Sequence, residues 1–238
     1  MPGESAGGRS PGAAGARAAG GAGVSEDRPG PQTLQASALF ATPLWSFRHP
    51  DLNQLQSWCD HVLELECKDR AGLQLTNQGG WHSQNDLLAD PALGPLFLWM
   101  ATCTQQAMAE FGWDMSKATP CFNNAWAMVN REGHSVRAHL HPNSLFSGVV
   151  YLAAPEDCGA IAFLDPRSGA QVLLPPLLPA AGAYATGRIL RQPQPGLMFL
   201  FPGWLWHEVE RSHSSQPRIC VSFNIGMRVV RAGGTAQA

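Results

Sequence analysis

From Cys121 onward the chain consists of short segments in which apolar and polar residues alternate, separated by turns rich in glycine and proline. A period of two places successive side chains on opposite faces of a strand, so these segments are predicted β-strands. The predicted strands are Phe122–Val129, Ala138–His141, Phe146–Leu152, Ala160–Leu164, Leu197–Phe201, His207–Val209 and Arg218–Met227. Many short strands joined by such turns indicate a β-sandwich or a β-barrel.

Two helices are predicted ahead of these strands. Apolar residues recur with helical spacing over Leu52–Lys68 and again over Leu93–Trp113, which is typical of amphipathic helices. The run Ala38–Trp45 before them has the texture of a short strand. We therefore expect an α+β domain that is mainly β, with the N-terminal helices packed on one sheet.

The chain has 238 residues, and 45% of them are hydrophobic, which is enough for one sizeable domain with a real core. We place this single domain at residues 37–230, followed by a flexible C-terminus at 231–238. Residues 1–36 are rich in Gly, Ala, Pro, Ser and Arg and contain no aromatic residue. Such a segment buries too little apolar surface to offset its ordering entropy, so we expect a disordered tail.

Composition also limits which partners the protein can bind and which cellular compartment suits it. The net charge is −2 and the basic residues are scattered, which argues against nucleic acid as a partner. No apolar run approaches the roughly 20 residues needed to span a bilayer, so no membrane is expected. Six cysteines lie far apart without a C-x-x-C pair. We interpret them as free thiols in a reducing compartment and expect a cytoplasmic protein.

Three histidines are candidate metal ligands. His139 and His141 are two residues apart on a predicted strand, so their side chains share a face and can converge on one metal. His207 follows a Pro-Gly turn, which puts it near the mouth of a barrel, where ligand sites are common. For each histidine alone, the alternative is a structural role in the core or on the surface; for His207 this means packing beside Trp204 and Trp206.

The strand that begins at Arg218 alternates strictly. Ile219, Val221, Phe223 and Ile225 form one apolar face, and Arg218, Cys220, Ser222 and Asn224 form the other. In a barrel the second face can line a polar cavity, where a planar guanidinium suits a carboxylate. In a plain sandwich it would be a solvated outer face.

Together these features resemble the family of 2-oxoglutarate/Fe(II)-dependent oxygenases of bacterial and phage type. The resembling stretches are Gly79-Gly80-Trp81, Asn124-Ala125-Trp126, His139-Leu140-His141-Pro142-Asn143-Ser144, Ser147-Gly148-Val149-Val150-Tyr151-Leu152, Phe163-Leu164-Asp165-Pro166-Arg167 and Phe201-Pro202 to His207. The resemblance implies a double-stranded β-helix (jelly-roll) core, with Fe(II) as cofactor and 2-oxoglutarate as co-substrate. It also implies O2 and a primary substrate as partners, and hydroxylation with release of succinate and CO2.

The metal motif departs from the family's usual pattern. That pattern is H-x-D/E with a distal histidine, whereas here the second position is His141. The stretch also resembles aspartyl/asparaginyl β-hydroxylases, in which that carboxylate is absent. Three arrangements remain open: three histidines, two histidines with a water, or a carboxylate from Asp165. We favour His139, His141 and His207.

Further residues are expected around the co-substrate. Arg218 would pair with its distal carboxylate, Ser222 and Tyr151 could donate to the same group, and Asn124 could line the pocket. The alternative function is a cupin-type metal-binding jelly roll that does not use 2-oxoglutarate. Arg218 discriminates, since a cupin needs no buried guanidinium eleven residues past its last ligand. The primary substrate and the oligomeric state do not follow from the sequence.

Overall fold

The computed structural model describes residues 39–167, 175–178 and 186–229. Its helices and strands belong to one compact unit, Ala41–Ala238. The predicted tail at 1–36 and the C-terminal segment at 231–238 lie outside the described residues. Among the described residues, no helix is long and apolar enough to cross a membrane.

The described residues of this unit form two α-helices and eleven strands. In chain order they are β1 Trp45–Arg48, α1 Gln54–Lys68, β2 Asn77–Gln78, β3 Trp81–His82, α2 Gly94–Phe111, β4 Ala118–Asn130, β5 Ser135–His139, β6 Phe146–Ala153, β7 Ile161–Leu164, β8 Arg188–Arg191, β9 Leu197–Pro202, β10 His207–Val209 and β11 Arg218–Val229. Two short 3-10 turns, Leu87–Ala89 and Pro91–Leu93, precede α2.

The strands form two antiparallel sheets. The larger has the order β1-β9-β6-β11-β4-β3, and the smaller has the order β2-β5-β10-β7-β8. The last eight strands, β4 to β11, contribute four members to each sheet. This winding of the chain between two facing four-stranded halves is the double-stranded β-helix. The predicted fold is therefore confirmed, including its mainly β character.

Both predicted helices form, and they pack on one sheet as expected. Apolar residues of α1 and α2, such as Val62 and Met100, share a core with the larger sheet. Strand β11 contributes Ile219, Val221 and Phe223 to this core. A smaller apolar cluster lies between the two sheets, beside the cavity described below. Alternation along β11 thus turns one face toward the helices and the other toward the space between the sheets.

Two strand predictions need correction, and one further strand was not predicted. The segment predicted as Ala138–His141 is a strand only over Ser135–His139, because Pro142 has no backbone N–H for a ladder and the chain turns there. The first strand is Trp45–Arg48 rather than Ala38–Trp45. Strand β8 was not predicted, since three of its four residues are exposed and its order comes from pairing with β7.

Candidate active site

Three histidines converge at one end of the smaller sheet. His139 is the last residue of β5 and His207 is the first of β10, and the two are direct partners in the ladder. His141 lies two residues beyond β5, where its backbone N–H donates to the Gly203 carbonyl at 2.8 Å. A Cβ on Gly203 would stand 2.3 Å from a backbone oxygen of the facing loop, so only glycine permits this approach. The candidate ligand atoms all lie within 4.8 Å of one another.

Backbone carbonyls set the orientation of two of these rings. Nδ1 of His139 lies 2.8 Å from the Arg137 carbonyl, and Nδ1 of His207 lies 2.9 Å from the Leu205 carbonyl. A carbonyl oxygen only accepts, so both Nδ1 atoms carry the proton and both Nε2 atoms keep a lone pair. Nε2 of His141 and Nε2 of His207 are 3.3 Å apart. With metal–nitrogen bonds of about 2.1 Å, two ligands of one ion stand roughly 3.0–3.4 Å apart, so the spacing of His141 and His207 fits a transition metal.

Burial keeps the three imidazoles neutral. It lowers the pKa of His139, lowers that of His141 to about 3, and lowers that of His207 well below its ordinary value. Charging any of them would require desolvating a cation, and neighbouring histidines further disfavour charge on His141 and His207. A neutral imidazole is the form that ligates a metal.

Arg218 lies at the start of β11 and is only 1% exposed. Its Nη1 donates to the Cys158 carbonyl at 2.5 Å and to the Gly159 carbonyl at 3.0 Å. No acidic side chain within the described ranges forms an ion pair with it. A buried guanidinium held by carbonyls alone retains an uncompensated charge, so its surroundings favour an anionic ligand.

The histidines and Arg218 line one cavity of about 240 Å³ between the two sheets. Its other lining residues come mainly from β4, β6 and β11 and include Asn124, Trp126, Met128, Asn130, Val149, Tyr151, Phe201, Cys220, Ser222 and Asn224. Tyr151 is 2% exposed, and burial raises the pKa of its hydroxyl, which therefore stays protonated and can donate. Every residue that we predicted for co-substrate binding lines this cavity.

The predicted residues occupy different parts of the cavity. Tyr151 pairs with Cys220 in the sheet, beside Arg218. Asn124 lies at the far end, where its Oδ1 accepts a hydrogen bond from Asn224 at 2.9 Å. Asp165, the alternative third ligand, does not line the cavity. Its carboxylate instead accepts hydrogen bonds from the Arg167 side chain at 2.6 and 2.9 Å.

Three further residues were not assigned from the sequence. His82 is 4% exposed, stacks on Trp126 with ring centroids 5.5 Å apart, and lines the cavity. In the sequence it is a single histidine beside a turn, and that pattern does not predict a position in a cavity. Asn130 is 1% exposed and pairs with Arg218 in the sheet. Asn224 follows from the same alternation that places Arg218 inward, so the sequence did contain that signal.

Residues 124–224 match the model of a protein family described as "Putative 2OG-Fe(II) oxygenase". Similar solved structures include a prolyl-4-hydroxylase from Pseudomonas putida, with a TM-score of 0.55 and 15% identity, covering 77% of this chain and 92% of that one. HygX from Streptomyces hygroscopicus, solved with nickel, 2-oxoglutarate and hygromycin B, has a TM-score of 0.53 and 12% identity, with coverages of 78% and 83%. At such identities the likeness shows the fold.

A third similar structure is the α-ketoglutarate-dependent epimerase SnoN from nogalamycin biosynthesis, with a TM-score of 0.55, 11% identity and coverages of 81% and 82%. No curated protein sequence matches the chain. The segment matched by the family model contains all three histidines and Arg218. Over residues 124–224 the chain is therefore similar to the 2-oxoglutarate/Fe(II)-dependent oxygenases.

Proposed function

We propose that His139, His141 and His207 hold the Fe(II) of this oxygenase and that Arg218 binds the distal carboxylate of 2-oxoglutarate. When bound, Fe(II), 2-oxoglutarate and O2 supply the oxidising power to hydroxylate a C–H bond, with succinate and CO2 as co-products. The protein's own residues bind and orient the reactants and keep water away from them.

The observation that carries this proposal is Arg218. A permanently charged side chain at 1% exposure, in the same cavity as three neutral imidazoles, is costly unless an anion joins it. A dicarboxylate that reaches from the metal to the guanidinium provides that anion. A cupin-type site, which binds metal without 2-oxoglutarate, offers no such reason for the buried charge.

Neighbouring groups support the same assignment. The carbonyls of Arg137 and Leu205 hold the rings of His139 and His207 with Nε2 presented to the metal. Tyr151 lies on the cavity wall beside Arg218, and Ser222 lies further along the same face of β11, toward the metal centre; both can donate to the bound co-substrate. Asn124, at the opposite end, is better placed for the primary substrate than for the co-substrate.

The test is reconstitution of the purified full-length protein. With Fe(II) and O2 it should convert 2-oxoglutarate to succinate slowly even without its primary substrate, and omission of Fe(II) should abolish the conversion. Calorimetry on the Zn(II)-loaded protein should show saturable binding of 2-oxoglutarate. A protein that binds the metal but neither binds nor consumes 2-oxoglutarate would favour the cupin-type function.

We also propose a cytoplasmic location and a primary substrate other than nucleic acid. All six cysteines are free thiols, which suits a reducing compartment. The net charge of −2 offers no basic stripe for phosphates. Cell fractionation and a binding assay with single- and double-stranded oligonucleotides test the two statements; recovery with a secreted fraction, or salt-sensitive oligonucleotide binding, would contradict them.

A further inference from the structure

The cavity extends beyond the part that the co-substrate needs. Arg218 and Asn224 lie six residues apart on β11, which at about 3.3 Å per residue is roughly 20 Å. The metal centre lies between them, because the His141 ring is 5.8 Å from Trp126, the sheet partner of Ser222. A molecule that joins the metal to Arg218 therefore leaves the Asn224 end of the cavity for something else.

Asn224 presents an unsatisfied polar atom at that end. It is 8% exposed, and its Nδ2 donates to Asn124 Oδ1. Its Oδ1 is buried and accepts no hydrogen bond from any described residue. Exchanging oxygen and nitrogen in both amides would reverse their mutual hydrogen bond but still leave one donor and one acceptor. An unsatisfied buried amide group of this kind calls for a polar partner.

The charges along the wall decide what kind of partner fits. Among the described residues that line the cavity, Arg218 is the only one with a Lys, Arg, Asp or Glu side chain. The polar side chains at the other end include the carboxamides of Asn85, Asn124 and Asn224. A charged group entering there would lose its hydration without meeting a counter-ion. A neutral group with both an N–H donor and a carbonyl acceptor would satisfy the pair.

We infer that Asn124 and Asn224 form a subsite for a neutral amide group of the primary substrate, beside the metal centre. The inference rests on the proposed function for the placement of the metal and of 2-oxoglutarate. The amide would accept from the free amide N–H of one asparagine and donate to the free oxygen of the other, which positions the substrate without any charge.

The experiment uses full-length protein loaded with Zn(II) and a saturating amount of 2-oxoglutarate, so that Arg218 is engaged and no turnover occurs. Three probes share one ring: benzamide, methyl benzoate, which lacks the donor, and benzoate, which is charged. Ligand-observed NMR titrations give their dissociation constants. We expect benzamide to bind on the order of tenfold more tightly than methyl benzoate, and benzoate to bind most weakly.

Two variants test the asparagine pair directly. Asn224→Leu, close to asparagine in size, should abolish the preference for benzamide while leaving the affinity for methyl benzoate unchanged. Asn123→Leu is the matched control, because Asn123 lies on the neighbouring strand β4, next to Asn124, but does not line the cavity; the preference should persist. Asn224→Asp should create binding of benzamidine, the cationic analogue of benzamide, and such a gain cannot arise from misfolding.

The outcomes separate the two proposals. If the Zn(II) protein fails to bind 2-oxoglutarate, the proposed function fails first. If it binds 2-oxoglutarate but does not prefer benzamide, prefers benzoate, or keeps its benzamide preference in Asn224→Leu, the amide subsite is wrong while the proposed function stands. Failure of Asn224→Asp to bind benzamidine would likewise overturn the subsite.

Discussion

Replacing Arg218 by lysine isolates the role of the guanidinium. The substitution keeps one positive charge at the start of β11 but removes the planar fork. In the parent, Nη1 already donates to the carbonyls of Cys158 and Gly159. The remaining N–H groups of the guanidinium are available to donate to a carboxylate. A single ammonium group on a flexible stem has to serve both the carbonyls and the carboxylate.

The size of the effect follows from the lost hydrogen bonds. A hydrogen bond to a charged group contributes about 1.5–3 kcal/mol, and each 1.4 kcal/mol changes a dissociation constant about tenfold. Loss of one such bond in Arg218→Lys should therefore weaken 2-oxoglutarate binding roughly 10- to 100-fold. Metal affinity should hardly change, because Arg218 is not one of the residues whose ligand atoms converge.

Isothermal calorimetry with 2-oxoglutarate on the Zn(II)-loaded protein measures this directly. Arg188→Lys is a suitable control, because Arg188 lies on the edge strand β8 and pairs with Glu208 and Glu210 on the surface; its affinity for 2-oxoglutarate should equal that of the parent. If Arg218→Lys also binds 2-oxoglutarate like the parent, the guanidinium serves only the carbonyls of Cys158 and Gly159, and the reasoning from buried charge is wrong.

Two further predictions concern the metal ligands and the packing. His141→Ala should weaken metal binding by at least about 100-fold, since even groups that only hydrogen-bond to a metal ligand contribute 10- to 100-fold. Asp165→Ala should leave metal binding unchanged. A metal titration showing the reverse would make the Asp165 carboxylate a metal ligand in place of His141. Gly148→Ala should destabilise the fold by about 1–3 kcal/mol, because its Cβ would stand 2.3 Å from the Phe223 ring; a urea midpoint equal to that of the parent would contradict this.

Local periodicity was sufficient for most of the secondary structure. The helical repeat over Leu52–Lys68 and the alternation over Arg218–Met227 both correspond to elements in the structure. These segments were predictable because a helix or strand that buries one or both of its faces carries apolar residues at a fixed spacing. Strand β8 had no such signal, since an edge strand with exposed side chains takes its order from the neighbouring strand and not from its own pattern.

His141 was predicted to lie beside His139 on the assumption that both belong to one strand. The structure brings His141 to the other histidines in a different way. The i and i+2 reasoning placed it on the same face as His139, but β5 ends at His139. The ring reaches the site because the following turn is tied to Gly203, in the loop ahead of β10. This hydrogen bond joins residues about 60 positions apart, so no local pattern in the sequence predicts it.

Strand β11 shows how one alternating segment can organise the whole site. Its apolar face, with Val221 and Phe223, is fixed by the helices, and a shift of one residue in register would expose that face. The opposite face is therefore fixed as well, and it places Arg218 at one end of the cavity and Asn224 at the other. Because the core sets the register, the positions of the Arg218 guanidinium and the Asn224 amide are fixed by the fold. The molecules that fill the cavity have to match the distance between these two groups and the difference in their charge.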